Sequence, residues 1–251
     1  MILNNDERIN EINESLRLIE SENGLTFGTD AYLLASFLPK HSRLTYAELG
    51  LGTGVVSLLA LSRKKCAHVY GIEVQERFCS IAKRNIELNG FEGRLDVICK
   101  NVCEVRACDC GGEVDIVFSN PPYMKNDSGR ANESDEKNIA RHEVYAKIDD
   151  FCACANRILK HGGYFYVVYR PDRLIDLICA LRDNNLEPKR VAFIHSNTGS
   201  APSLALIQAK KGGKSGFTIE SPIYIYKDGT TEYTDRYKKI YENCSLESEN
   251  E

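Results

Sequence analysis

From residue 44 onward, short apolar runs alternate with longer stretches whose apolar positions recur at helical spacing. LTYAEL (44–49), HVYGIE (68–73), LDVIC (95–99) and VDIVFS (114–119) have the length and composition of strands. Between them lie a helical stretch running to about Arg63 and QERFCSIAKRNIELNG, stopped by Gly90. Such alternation implies right-handed crossovers and a parallel sheet with helices on both faces, its ligands at the carboxyl ends of the strands. After a polar stretch at 124–147, which reads as a long functional loop, the pattern resumes. Helix IDDFCACANRIL, the turn His161-Gly162-Gly163, strand YFYVVY, helix RLIDLICALRDNN and strands RVAFIHS and SLALIQAK follow in order. The loop at 197–202 between the last two strands is too short for a parallel crossover, so the final strand is expected to be antiparallel. The whole predicts an α/β fold with seven strands in one mostly parallel sheet.

Ahead of this repeat the pattern differs. Residues 1–14 are polar and predict a frayed segment or a short helix. SLRLIESENGLTF alternates apolar and polar residues around an Asn23-Gly24 turn signal, which predicts a hairpin with Leu16, Leu18, Leu25 and Phe27 on one side. Thr29 or Asp30 can then cap a helix through AYLLASFL, ended by Pro39. The chain divides accordingly into a hairpin and helix at 1–43, a main domain at 44–227 and a tail at 228–251.

Composition narrows the setting. The 251 residues, 43% hydrophobic and 27% charged, suffice for one medium core. No run approaches a membrane span, and the polar start MILNNDERINE lacks the basic-then-apolar order of a signal segment, so a cytoplasmic location is expected. There the ten cysteines are expected as reduced thiols. Cys99, Cys103, Cys108 and Cys110 fall within twelve residues, but their C-x3-C-x4-C-x-C order fits poorly with the paired ligand turns of a zinc knuckle, and no metal is expected. A net charge of −4 argues against a surface that wraps nucleic acid as a whole, and leaves room for a local basic patch.

The first strand ends in ELGLGTG, Glu48 to Gly54. Its glycines at 50, 52 and 54 let the backbone turn sharply and approach a nucleotide-like ligand closely. A dinucleotide loop, G-x-G-x-x-G/A, would need Gly or Ala where Val55 stands, so a dehydrogenase is disfavoured and a cofactor without a pyrophosphate preferred. The second strand ends in GIEVQ, and its Glu73, about twenty residues past the loop, can accept from both hydroxyls of a ribose. The same Glu73 could instead cap the helix that follows.

The fourth strand runs into SNPPYM (119–124). Neither proline has an N–H, so Pro121-Pro122 cannot continue a ladder and instead fixes the direction of the Pro121 carbonyl. That carbonyl and the Asn120 side-chain oxygen can hold the two N–H groups of an exocyclic or amide nitrogen. Its delocalised lone pair is then biased toward an electrophile without a strong general base. Tyr123 can stack on a planar substrate group. Alone, N-P-P-Y is also a plain strand-ending turn; its place after a glycine loop and an acidic second strand is what points to chemistry.

ELGLGTG and GIE resemble the first two motifs of class I S-adenosylmethionine-dependent methyltransferases, and Asn120-Pro121-Pro122-Tyr123 resembles the [DNS]-P-P-[YFW] motif of those acting on nitrogen. The resemblance implies a Rossmann-like fold with S-adenosylmethionine as cofactor. Its methionine part would lie over Glu48, Gly50, Leu51, Gly52, Thr53 and Gly54, and its ribose on Glu73 beside Val74. Asn101 and Val102 follow the third strand, where that superfamily commonly sets an Asp against the adenine amine; Asn101 lacks the charge but can still accept. Over nearly its full length, from LTFGTDAYLLASFL through ARHEVY and RILKHGGYFYVVYRPDRL to ALIQAKKGGKSGFTIESPIYIY, the chain resembles the bacterial tRNA1(Val) (adenine-37-N6)-methyltransferase family. This implies a tRNA partner whose adenine 37, beside the anticodon, is flipped out as acceptor. It also sets Phe27, Gly28 and Thr29 near the methionine end of the cofactor.

Protein glutamine-N5 and rRNA guanine-N2 enzymes share the motif and stand as alternatives, as does a non-catalytic nucleotide- or RNA-binding module, which need not keep the full Asn-Pro-Pro-Tyr set. Only 47 residues precede Glu48, whereas glutamine-N5 enzymes usually carry a sizeable helical domain there. For RNA, segment 187–240 holds nine Lys/Arg against five Asp/Glu, and Lys210 and Lys211 in AKKGGK suit phosphate contacts. Arg130, Arg141, Arg170 and Arg173 lie in or after loops at the expected active edge, where phosphates would pass. Arg141-His142-Glu143 resembles a family signature whose role chemistry leaves open between the site and a helix start. No obligate protein partner is evident.

Overall fold

Two strands open the chain, β1 (Glu7–Asn13) and β2 (Leu16–Ser21), paired antiparallel. Their turn closes where the Asn13 Oδ1 accepts from the Ser15 amide at 3.0 Å. The hairpin among the described residues joins β1 to β2, the Asn23-Gly24 turn expected after it lies outside the described residues, and residues expected to be frayed or helical are extended. The reason is burial and charge: Ile12, Leu16 and Leu18 enter the core, and Arg84 holds the buried Glu7 carboxylate from a distant helix at 2.5 and 2.7 Å.

The computed structural model describes residues 3–4, 6–21, 28–121 and 146–246. Leu25, Phe27, Pro122, Tyr123, Arg130, Arg141 to Glu143 and most of the 124–147 loop lie outside the described residues. Helix α1 (Thr29–Phe37) comes next, with Gly28 as its N-cap and no side-chain cap, so neither Thr29 nor Asp30 takes the capping role predicted for it. Both stand in the first turn. Ala31 through Phe37 are buried, and Lys65 Nζ satisfies the carbonyls of Ser36 and Leu38 at the far end.

The alternation then runs as the sequence implies: β3 (Thr45–Leu49), α2 (Val55–Ser62), β4 (His68–Glu73), α3 (Glu76–Asn89), β5 (Leu95–Cys99), β6 (Val114–Ser119), α4 (Ile148–Ile158), β7 (Leu159–Tyr169), α5 (Leu174–Asp183), β8 (Leu186–His195) and β9 (Pro202–Lys211). Strands β5, β4, β3, β6 and β7 are neighbours in that order, all parallel. The antiparallel strand is β9, inserted between β7 and β8. Two short strands, β10 (Thr218–Ile219) and β11 (Ile223–Tyr224), pair with β8 and raise the expected seven strands to nine. At two residues each they are too short for periodicity to reveal. The segment read as a tail contains α6 (Asp235–Asn243), capped by the Thr234 side chain, with Tyr237 and Ile240 buried in the core.

Alternate strand residues serve opposite faces of the sheet. Tyr46, Ile116, Phe118, Tyr166 and Val168 share one cluster with α1, α2, α6 and the hairpin; Ala47, Leu49, Val117, Phe165 and Val167 share the other with α4 and α5. The strand order reverses between β3 and β6, the position at whose carboxyl ends folds of this kind bind ligands.

Two buried polar side chains tie the elements around this edge together. Asn85 on α3 accepts from the Ile19 amide at 2.7 Å and donates to the carbonyls of Ile19 (3.2 Å) and Thr53 (2.9 Å). One turn on, Asn89 pairs both backbone groups of Arg17 at 2.9 and 2.7 Å. The two amides thus form a side-chain ladder along β2, and Asn85 ties it to the glycine loop. Glu48, 2% exposed, accepts from the Ser57 amide at 3.1 Å and from the Ser57 hydroxyl, joining β3 to α2. Burial pushes this carboxyl up to about 8, against the opposing pull of the Ser57 bonds.

Asn85→Ala should strand the backbone groups of Ile19 and Thr53 in the interior and cost about 3 kcal/mol in urea unfolding, with the denaturant slope unchanged. For Glu48, the folded chain keeps a proton that the unfolded chain releases near 4.5, so the stability from this group is lost as pH rises from 4.5 to about 8. Glu48→Gln should flatten that decline, read as a smaller fall in Tm between about pH 6 and about pH 9 than in the wild type.

Candidate functional site

The register of β3 and β6 pairs Leu49 with Ser119, and the Ser119 hydroxyl donates to the Leu49 carbonyl at 2.7 Å. Gly50 and Asn120 are the next residues, so the glycine loop and the proline motif leave the sheet side by side on adjacent strands. The amides of Gly50 and Leu51 both donate to the Ile72 carbonyl at 2.9 Å, which bends the chain back over the end of β4. Leu51 packs where β4 carries Gly71: a Cβ there would lie 2.5 Å from a Leu51 methyl. Gly52 takes φ 56°, and a Cβ built on it would meet nothing within 4 Å, so the loop presents an open backbone surface to a ligand. Thr53 contributes its carbonyl to Asn85, and Gly54, at φ 89°, is the N-cap of α2.

Glu73 bridges two elements. Its Oε2 accepts from the Gly52 amide and its Oε1 from the Gln75 amide, both at 2.9 Å, with the residue 6% exposed. Gln75 is the N-cap of α3, so the helix-start contact exists, and each carboxylate oxygen retains acceptor capacity for a hydroxyl. Val74 is half-buried beside it. Asn101 turns its Oδ1 onto the Cys103 amide at 2.9 Å, an Asx turn, and buried Val102 gives its carbonyl to Arg157 at 2.6 Å. Glu48, by contrast, points inward to Ser57 and reaches the loop from beneath.

Asn120 is joined by a residue that sequence reasoning read only as a helix cap. Its Nδ2 donates to Asp30 Oδ2 at 2.7 Å, and the other Asp30 oxygen accepts from the Ala31 amide at 3.0 Å. Asp30 stands in the first turn of α1, directly after Gly28 and Thr29, both exposed. Pro121 is buried. The signal that could have found Asp30 is an acid in a helix's first turn with no capping work to do, on the element next to the glycine loop.

The basic candidates divide. Arg170 and Arg173 follow β7 at the carboxyl edge, as expected, but each already holds a carboxylate: Arg170 grips Asp172 through two bonds at 2.9 and 2.8 Å, and Arg173 holds Asp176 at 2.5 Å. Lys210 and Lys211 close β9, which runs antiparallel, and so lie level with Tyr164 and Leu186 at the starts of β7 and β8, toward the opposite end of the sheet. There Lys211 donates to the Leu159 carbonyl at 2.6 Å and Lys210 lies 5.2 Å from the Tyr164 ring centre. Of the four clustered cysteines only Cys110 is buried, and among the described residues no group of three or more His, Cys, Asp or Glu is placed to hold a metal ion. No helix among the described residues is long and apolar enough to cross a membrane.

Comparison with known proteins gives the family. A relative from Phocaeicola vulgatus is 27% identical over 220 residues, covering 86% of this chain and 90% of its own. One from Parabacteroides distasonis is 26% identical over 219 residues, covering 85% and 90%. Both are named tRNA1(Val) (adenine(37)-N6)-methyltransferase. Among solved structures, one described as a predicted O-methyltransferase from Agrobacterium tumefaciens shares the fold with a TM-score of 0.71 at 22% identity, over 88% of this chain and 99% of that one. Residues 19–176, more than half of the chain and spanning the hairpin's second strand, the glycine loop and the Asn120 strand end, match the family model for the methyltransferase small domain, and the protein belongs to that family.

Proposed function

We propose that the protein is a cytosolic enzyme that transfers a methyl group from S-adenosylmethionine to N6 of an adenine in tRNA, the adenine at position 37 beside the anticodon. The observation that carries the reading is the pairing of Leu49 with Ser119, which sets the glycine loop against Asn120-Pro121. The names and the near-complete coverage of the relatives supply the substrate.

The residues at the edge fit the cofactor. The open backbone at Gly52 leaves space where a side chain would stand, and Glu73 has acceptor capacity for ribose hydroxyls beyond its two amide bonds. Gly28 and Thr29 stand at the start of α1, near Asn120 through Asp30. When bound, S-adenosylmethionine supplies a methyl group on a cationic sulfur. The chain's own task is to aim a weak nucleophile: Asn120 Oδ1 and the Pro121 carbonyl accept from the two N–H groups of N6 and hold its lone pair toward the methyl. Neither is a base, so the nitrogen sheds one proton to water once it carries the methyl group. Arg170 can meet a phosphate by exchanging Asp172 for it, a surface pair where such exchange costs little, whereas Arg173 holds Asp176 with its own side chain only 18% exposed.

Incubating the protein with labelled S-adenosylmethionine and unmodified bulk tRNA, followed by mass spectrometry of the nucleosides, should give N6-methyladenosine in the anticodon loop. Asn120→Ala should lower the rate by about 100-fold or more while cofactor affinity stays within a few fold. Label on guanine or on protein glutamine would overturn the substrate reading, and a loss of cofactor binding in Asn120→Ala would give Asn120 a structural role instead.

A further inference from the structure

Asn120 has to present the right end of its side-chain amide to the substrate. A primary amide presents a donor at one end and an acceptor at the other, nearly equal in shape, and only the acceptor can hold an amino group. Flipped by half a turn, the same side chain would point N–H at N–H. A contact that tells donor from acceptor has to hold the amide the right way round.

The contact between Asp30 and Asn120 makes that choice. The Asp30 carboxylate has no donor of its own, so at 2.7 Å it accepts only the Nδ2 end and repels the oxygen. The carboxylate is itself held: its second oxygen takes the Ala31 amide, and α1, which carries it, is buried from Ala31 to Phe37. Gly28 is shaped to the same contact, since a Cβ there would lie 2.8 Å from Asp30 Oδ1. We propose that Asp30 is the positioning residue of the site, fixing the Asn120 amide so that its oxygen is the end presented to the acceptor amino group. The proposal rests on the reading of Asn120 as the group that holds that amino group.

Three variants separate this role from a structural one. Asp30→Ala should lower kcat by about 10- to 100-fold, the range for a catalytic group released from its geometry, with KM for tRNA, cofactor affinity and Tm close to wild type. Asn120→Asp should be nearly inactive, because it sets two carboxylates against each other. Adding Asp30→Asn to Asn120→Asp should restore at least about 10-fold, since the amide at position 30 then donates to a carboxylate at position 120 that keeps its acceptors. A double variant no better than Asn120→Asp, or an Asp30→Ala variant that changes only KM or Tm, overturns the proposal.

A readout independent of the substrate accompanies these rates. The Asn120 side-chain amide protons, assigned in the nuclear magnetic resonance spectrum by their absence in Asn120→Ala, should be protected from solvent exchange in the wild type and lose that protection in Asp30→Ala. Equal protection in both overturns the contact. If the wild type methylates no tRNA adenine, the functional reading fails, and the exchange result still decides whether Asp30 holds Asn120.

Discussion

The Glu73 carboxylate accepts from the Gly52 amide with one oxygen and from the Gln75 amide with the other, and the carboxyl edge of the sheet is arranged around that bridge. A loop that turns through left-handed backbone takes its amides out of the ladder, and each then needs an acceptor. The parallel register supplies the Ile72 carbonyl for Gly50 and Leu51, and the next residue of β4 supplies the carboxylate for Gly52. A charged acceptor shared by two amides is a strong restraint, and it locks the loop to the start of α3. A second carboxyl, Glu48, lies beneath the same loop and is driven by burial, and to a lesser degree by the charge of Glu73, toward its neutral form. The site thus sets one carboxyl against its loop amides and a second, driven toward its neutral form, on the Ser57 side of β3.

The hairpin ahead of α1 belongs to this arrangement. Asn85 and Asn89 line its second strand, four residues apart on one face of α3 so that they meet alternate residues of β2. Since Asn85 also donates to the Thr53 carbonyl, the hairpin, the helix and the glycine loop meet at a single buried amide. The hairpin is therefore anchored by the helix that supports the loop.

Much of this was legible in the residues, and the parts that were not share a cause. HVYGIE, LDVIC and VDIVFS form strands with the bounds their pattern marks, because β-branched and aromatic residues in short apolar runs have few other uses. The glycine loop was legible through its spacing, and the double proline through its missing donors. The strand at Glu7–Asn13 was not legible, because Glu7 is drawn into β1 by Arg84, 77 residues away. The direction of β9 was legible, but its consequence for Lys210 and Lys211 needed the register. The role of Asp30 was hidden for the same reason, since Asn120 stands 90 residues further on.

That separation has a consequence for how the site can form. Asn120 leaves the middle of the sheet, where the parallel strands β3, β6 and β7 fix its backbone, whereas Asp30 arrives on a helix that only tertiary packing holds. The α1 helix has nine residues, below the length at which isolated helices persist in water, and no side-chain cap. Its order comes from burying Ala31 to Phe37 and from Lys65 at its carboxyl end. The contact between Asp30 and Asn120 thus forms only once α1 has docked. A chain with an intact sheet and an undocked α1 would keep the motif and lose this contact, so the geometry of the site depends on the packing of α1 as well as on the motif residues themselves.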